Sequence, residues 1–322
     1  MGNCTALCSG GNDNKKELIQ ELSGKNGVIT KEEIQAEYEK AKNVASLQFE
    51  GLNVDDQFTN VDSNKQKLSQ SDEIEEDGQS QQVQREKKSP TMLKNGAVYT
   101  GEWLGGKRDG YGIQEWPDSS KYEGQWVNDR ACGQGKMYHS DGDTYQGEWA
   151  DDKAHGQGIY IKSCGAIFSG GWVQDKQHGF GTEKWPDGTQ FEGNFSNGQK
   201  HGEGKMTFQD GGFYEGQFER NEINGQGKHS WKDGKIYEGS WKSNRMNGQG
   251  RLTWPDGKFY EGNFVNDKKE GQGTQKWKDG REYRGEWKAG KQHGIGYFRK
   301  NEKSQALKGE WAEGKRIKWI KE

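Results

Sequence analysis

Three residues near the start of the chain could carry covalent chemistry. The sequence opens MGNCTALCSGG, and a glycine exposed by removal of the initiator methionine is the acceptor for a myristoyl chain. Cys4 and Cys8 stand close enough to that glycine to take palmitate. One myristoyl chain holds a membrane only marginally, so Gly2 with Cys4 or Cys8 would supply the two signals that stable attachment needs. Ala6 stands where Ser or Thr is usual, with Thr5 one place early, and an unmodified flexible terminus is the alternative reading.

Other patterns resemble chemistry without supporting it. Nine G-x-G steps invite a phosphate-cradle reading, but none precedes a helix or a Lys-Ser/Thr pair, so a cradle of amides at a helix N-terminus cannot form. His155, His178, His201 and His293 each stand just before a G-x-G. On a sheet they would be about two strands, ~10 Å, apart, too far to share a metal ion, and they read as packing residues. Cys132 and Cys164 have no C-x-x-C partner and read as buried or neutral positions. The stretch LSGKNGVITKEE has the Gly27, Ile29 and Glu33 of a calcium loop, yet Leu22 and Gly24 occupy two of its oxygen-ligand places. No Ser/His/Asp or Cys/His set recurs with a plausible geometry. The expectation is a protein with no active site, metal, cofactor or small-molecule substrate.

What positions these residues is a repeat. Tyr99, Tyr122, Tyr145, Phe168, Phe191, Tyr214, Tyr237, Tyr260 and Tyr283 recur every 23 residues. Four residues after each comes Trp103, Trp126, Trp149, Trp172, Phe195, Phe218, Trp241, Phe264 or Trp287. A glycine lies between the two aromatics, and a G-x-G follows eleven residues after the first. A degraded tenth copy, LKGEW, begins at Leu307. So strict a period marks a repeat architecture.

Each unit carries two turn signals. D-G or N-G steps such as Asp141–Gly142 and Asp187–Gly188 mark one, and Asn128–Asp129, Asn197–Gly198 and Asn266–Asp267 mark the other. Two turns in 23 residues leave two strands, so each unit is a β-hairpin and the array an elongated, single-layer, twisted antiparallel meander. About twenty strands at ~4.8 Å give a ribbon ~95 Å long. Alternation puts both aromatics and the intervening glycine on one face, with Glu123, Gln125 and their equivalents on the other. By the same parity, Gly133 and Gly135 fall together on the aromatic face. Bare glycines there would let rings lie flat across the backbone.

Eight residues after each leading aromatic come Lys107, Arg130, Lys153, Lys176, Gln199, Glu222, Arg245, Lys268 and Lys291. The seven basic ones should line one rim and could rest on anionic lipid headgroups. Ordinary solvated turn charge is the competing reading, since Asp129, Asp152, Asp175 and Asp267 immediately precede several of them.

Composition bounds the rest. Only 28% of the 322 residues are hydrophobic and 50 are glycine, so order must come from aromatics stacked repeat on repeat. Residues 1–90 hold 11 Lys and Arg against 17 Asp and Glu, a net of −6, and the remainder 36 against 33, a net of +3. Neither balance suggests nucleic acid, and no apolar run approaches the ~18 residues of a spanning helix. The expected organisation is a flexible tail (1–12), a short helical segment (13–59), a disordered linker (60–90), the array (91–314) and a C-terminal tail (315–322). Within the second segment, Thr30 and Glu33 form a capping box, and Ile34, Tyr38, Ala41 and Ala45 line one helix face.

Y-x-G-x-W, then G-x-G, then D-G-x-x-Y on this period resembles the MORN repeat (membrane occupation and recognition nexus). The resemblance covers about 220 of the 322 residues. It implies a scaffold or docking ribbon for protein partners, of a kind found at membranes, the cell cortex and axonemes, with phospholipid binding proposed for some members. Together with the MGNC start, it leads to the expectation of a lipid-anchored scaffold on the cytoplasmic face of a membrane. A cytoskeletal or ciliary component, radial-spoke-like and binding only proteins, is the alternative.

Overall fold

The computed structural model describes residues 84–321. The expected acyl acceptors Gly2, Cys4 and Cys8, the helical segment and most of the linker lie outside the described residues.

Alternating turn signals translate directly into strands. Among the described residues twenty-one of them run in chain order from β1 (Glu86–Met92) to β21 (Lys315–Trp319). Each pairs antiparallel with the next, as β1 with β2 (Val98–Leu104) and β20 (Leu307–Ala312) with β21. The result is a single open sheet, an all-β meander. A typical unit comprises β4 (Lys121–Val127) and β5 (Arg130–Tyr138), joined by Asn128 and Asp129. Both joining residues have positive φ, 50° and 71°, as a type I′ turn requires to match strand twist. At the other end of the hairpin, Gly142 at φ 92° closes the D-G loop, and Asp141 Oδ1 accepts the Asp143 N–H at 3.0 Å.

The core is a row of rings on one face. Tyr99, Tyr237, Tyr260 and Tyr283 have no exposed surface, and Trp126 and Trp241 are buried. Each leading aromatic packs edge-to-face against the Trp or Phe of its own unit and against that of the next. Tyr122 meets Trp126 and Trp149 at 5.0 Å, and Tyr237 meets Trp241 at 5.0 Å and Phe264 at 5.1 Å. This herringbone runs unbroken from Trp103 to Trp311. Edge-to-face geometry sets the positive ring edge against the negative ring face and adds about 0.5–1.5 kcal/mol per pair beyond burial.

Glycine makes room for the rings. In β4 and β5, Gly124 and Gly135 pair directly, and the Tyr122 ring lies over both. A Cβ on Gly135 would sit 2.2 Å from the tyrosine hydroxyl. That hydroxyl donates to the Gln125 carbonyl at 3.1 Å, and the bond recurs at Tyr99, Tyr145, Tyr214, Tyr237, Tyr260 and Tyr283. The Trp indole N–H reaches back one unit, as from Trp126 to the Gly112 carbonyl at 3.2 Å. At the first unit β1 takes this partner strand's place with a register shift between Lys88 and Thr91, and Trp103 Nε1 is buried without a partner among the described residues.

Three expectations are corrected. The register slips between Gly124 and Trp126, whose partners Gly135 and Ala131 are four residues apart. The resulting bulge inverts the side-chain parity at Gly133, where φ is 74°. A Cβ there would meet Gln125 Oε1 at 2.1 Å on the outer face, so Gly133 and Gly135 do not share a face. The same bulge turns His155, His178 and His201 into solvent; all three are exposed and none is a packing residue. Finally, the ribbon outruns its expected limits. Strand β1 begins inside the segment read as linker, and β21 occupies the segment read as tail.

Candidate functional site

Three surfaces are built from the repeat: an aromatic groove, a turn rim and an outer face. The groove lies beside the buried herringbone. Its wall is a second aromatic row, Trp185, Trp231, Trp254 and Trp277, packed against the core but only half-buried. Trp116 stands at the same place in the first unit, separated from the row by His139 and Lys162. No second layer lies over these rings among the described strands, whose substantial contacts all join consecutive neighbours.

Three cations punctuate the groove, a feature not foreseen from the sequence. Arg108, Lys200 and Lys269 occupy the place that Ala131, Ala154, Ile223 and Met246 take in other units. The Arg108 guanidinium stacks 4.2 Å from the Trp126 ring centre. The Lys200 ammonium lies 4.8 Å from the Trp185 ring centre and pairs with Glu183 at 2.7 Å. The Lys269 ammonium sits 4.6 Å from the Trp287 and 4.7 Å from the Tyr260 ring centre, and it donates to Gln275 Oε1. Burial, with a smaller contribution from Lys258, lowers its pKa to about 8. A pair of basic residues marks two of the three cations in the sequence, at Lys107–Arg108 and Lys268–Lys269, whereas Lys200 follows Gln199 and carries no such mark.

Lys269 therefore makes a pH-dependent contribution whose sign is fixed. Between pH 8 and the ordinary lysine value of 10.5, the folded chain holds a neutral amine and the unfolded chain an ammonium, so stability rises with pH in that window. Lys269→Met, the residue Met246 already supplies one unit earlier, should raise stability at pH 7 and flatten the rise between pH 8 and 10.5. Urea titrations at pH 7, 8.5 and 10 measure both. A loss of stability at pH 7 would mean that the ring contacts outweigh desolvation.

The rim is formed by the type I′ turns. Lys107, Arg130, Lys153, Lys176, Arg245, Lys268 and Lys291 each open the strand after such a turn, and all seven are exposed. The preceding Asp residues have a structural task. Asp152, Asp175 and Asp267 each accept a backbone N–H from the preceding unit, at Ala131, Ala154 and Met246, at 2.8 Å. Carboxylates thus interleave with the basic row, and Arg130 and Lys291 are paired with Asp151 and Glu313 at 2.8 and 2.7 Å.

The outer face is a charged ladder. Glu192, Lys205, Glu215, Lys228, Glu238, Arg251 and Glu261 stand opposite one another on consecutive strands. Near the C-terminal end a depression of about 630 Å³ is lined by Glu282, Arg284, Glu286, Ile295, Tyr297 and Arg299, with no nucleophile beside a base. Among the described residues no group of three or more His, Cys, Asp and Glu could hold a metal ion. Cys132 and Cys164 are free and half-buried, and no described helix is long and apolar enough to cross a membrane.

The model of the MORN repeat matches nine consecutive segments between residues 99 and 301, each aligned on a leading aromatic from Tyr99 to Tyr283. The chain belongs to the MORN-repeat family. The tenth hairpin, β20 and β21, lies beyond the matched residues but continues the same sheet of this MORN-repeat protein. Among solved structures, the TCP10 domain of Danio rerio CPAP is 11% identical, with a TM-score of 0.35 over 62% of this chain and 94% of that one. The same domain bound to a peptide of Danio rerio STIL is 14% identical, with a TM-score of 0.30 over 61% and 92%. The Drosophila melanogaster SAS-4 TCP domain, in complex with a proline-rich motif of Ana2, is 13% identical, with a TM-score of 0.31 over 48% and 86%. No curated protein matches the chain in sequence.

Proposed function

We propose that this MORN-repeat protein is a non-enzymatic, lipid-anchored scaffold that docks protein partners along its ribbon and rests its basic rim on anionic phospholipid. The observation that carries the docking reading is the aromatic groove, a row of half-buried rings at Trp185, Phe208, Trp231, Trp254 and Trp277 on a face that no other described strand covers. Rings that already pack against a rigid neighbour lose little freedom on binding and offer large contact area. Attachment rests on Gly2, Cys4 and Cys8, and places the ribbon on the cytoplasmic face of a plasma membrane or at the cell cortex.

The rim supports a weaker, salt-dependent contact, at about 1 kcal/mol per basic residue held near an anionic surface. Its carboxylate neighbours and the Arg130 and Lys291 ion pairs favour the second reading, a cytoskeletal or ciliary component that docks only proteins.

Two measurements separate the readings. In cells, Gly2→Ala and the Cys4→Ser/Cys8→Ser double variant should move the protein from the membrane to the soluble fraction. If both stay fully membrane-bound, acylation is not the anchor. In vitro, the unacylated full chain should bind phosphatidylserine vesicles at low salt and lose binding at physiological salt. Charge reversal at Lys153, Lys176, Lys268 and Lys291 should also abolish it. No binding at low salt removes the lipid rim and leaves protein docking alone.

A further inference from the structure

One stretch of the outer face departs from the charged ladder. It spans β7 (Lys153–Ile161), β8 (Ile167–Val173) and β9 (Lys176–Lys184). The cross-strand row that reads Glu215–Lys228 or Glu238–Arg251 elsewhere becomes Ile159–Ser169–Thr182 here. Alongside it, Ile161 pairs with Ile167, and Gln157 with Gly171, where other units carry Glu, Gln, Ser or Asn in place of that glycine. Charge has been removed and side-chain bulk reduced at one spot.

This spot is also buried. Ile159 is 2%, Ser169 5% and Ile167 7% exposed, although they face away from the aromatic core. The equivalent Lys228, Glu238 and Arg251 are open to solvent. No other described strand lies against this face.

We propose that residues 30–48 of this chain form an amphipathic helix that docks on the outer face across β7–β9. Thr30 and Glu33 cap the segment, and Ile34, Tyr38, Ala41 and Ala45 supply an apolar stripe. Nineteen helical residues span about 28 Å, comparable to the length of the strands beneath. The two alanines allow close approach to Gly171, while Ile34 and Tyr38 meet the isoleucines. Reach is ample. The 35 residues between Gln48 and the first described residue extend up to ~115 Å, whereas β1 and β8 are separated by seven strand spacings, roughly 34 Å. Docking would hold the N-terminal tail above the third and fourth hairpins rather than letting it trail from the end of the ribbon.

The test uses the full-length chain with a photo-crosslinking benzoylphenylalanine at Thr182, beside the patch, or at Lys228, on the charged ladder. Position 182 should link to residues 30–48 within one chain, independently of protein concentration, and position 228 should not. Links to a second copy, equal linking at both positions, or no link from 182 would overturn the proposal. Restoring the ladder with Ile159→Lys and Ser169→Glu should accelerate tryptic cleavage after Lys40 and Lys42 by about tenfold, leaving the unfolding midpoint of the array unchanged. Should that variant not fold, Ile34→Asp with Tyr38→Asp reads the same release from the other partner. Cleavage at Lys40 and Lys42 in the unaltered chain as fast as at Lys65 and Lys67 would also refute docking.

Discussion

Trp241→Ala should destabilise the array by about 3–5 kcal/mol, the range for emptying a buried Trp site, while Glu238→Ala three residues away should cost less than about 0.5 kcal/mol. The two side chains sit on opposite faces of β14 (Ile236–Lys242). Trp241 is 6% exposed, touches Tyr237 at 5.0 Å and Tyr214 at 5.5 Å, and donates to the Gly227 carbonyl at 3.1 Å. Its loss opens the herringbone between two units, removes the bond to the Gly227 carbonyl and takes from each tyrosine one edge-to-face partner. Glu238 is exposed between Lys228 and Arg251, where exposed pairs contribute little. Trp241→Phe should recover most of the loss, because Phe218 and Phe264 already fill this place in neighbouring units. Denaturant titration decides it. Equal losses at positions 241 and 238 would mean that the stability does not reside in the ring row.

The same contrast shows what a sequence reader could see. Ring row, glycine gaps, both turn types and the polar outer face all follow from a 23-residue period read with strand alternation. Gly124 falls on the ring face by sequence alone, because it lies between two aromatics of its own strand. Gly133 differs. Its face depends on a bulge, and a bulge arises from the pairing of two strands whose register the period does not specify. The exposed histidines sit in that same bulge and were misread for the same reason.

Strand β1 was hidden differently. Its sequence EKKSPTM has no aromatic at the repeat spacing and is exposed at nearly every position, so it joins through backbone pairing to β2, with a register shift between Lys88 and Thr91. Lysines and a proline on an edge strand discourage pairing with another chain. A polar edge strand of this kind carries little hydrophobic pattern, and composition alone made it look like linker. The surroundings of the three groove cations were hidden for a related reason. Lys200 and Lys269 follow the turn as many exposed lysines do, and only the geometry places their ammonium groups among rings.

Alkali should unfold the array cooperatively between about pH 10 and 12, while neutral and mildly acidic pH leave it intact. The cause is the tyrosine row. Burial, the dominant effect, raises Tyr99 and Tyr283 from 10.0 to about 12. Tyr122, Tyr214, Tyr237 and Tyr260 are also raised, in each case first by burial. The sign follows from proton counting. Well below pH 10 the tyrosines of the row are protonated, folded or unfolded, and they do not make stability depend on pH. Above pH 10 the unfolded chain releases protons that the folded chain retains, so stability falls as pH rises. A two-unit shift is worth about 2.7 kcal/mol per tyrosine once fully developed. Because neighbouring rings share Trp partners, ionising one weakens its neighbours' sites, and the loss should be steep. The 23-residue repetition that builds the ribbon thus multiplies one alkaline weakness along its length. Urea titrations at pH 8, 10 and 11, with tyrosinate absorbance near 295 nm recorded alongside, measure the effect. Stability should drop from pH 10 to 11, with tyrosinate appearing together with loss of the sheet. Tyrosinate absorbance that rises near pH 10 in a still-folded array would show that the row is open to solvent, contrary to its burial.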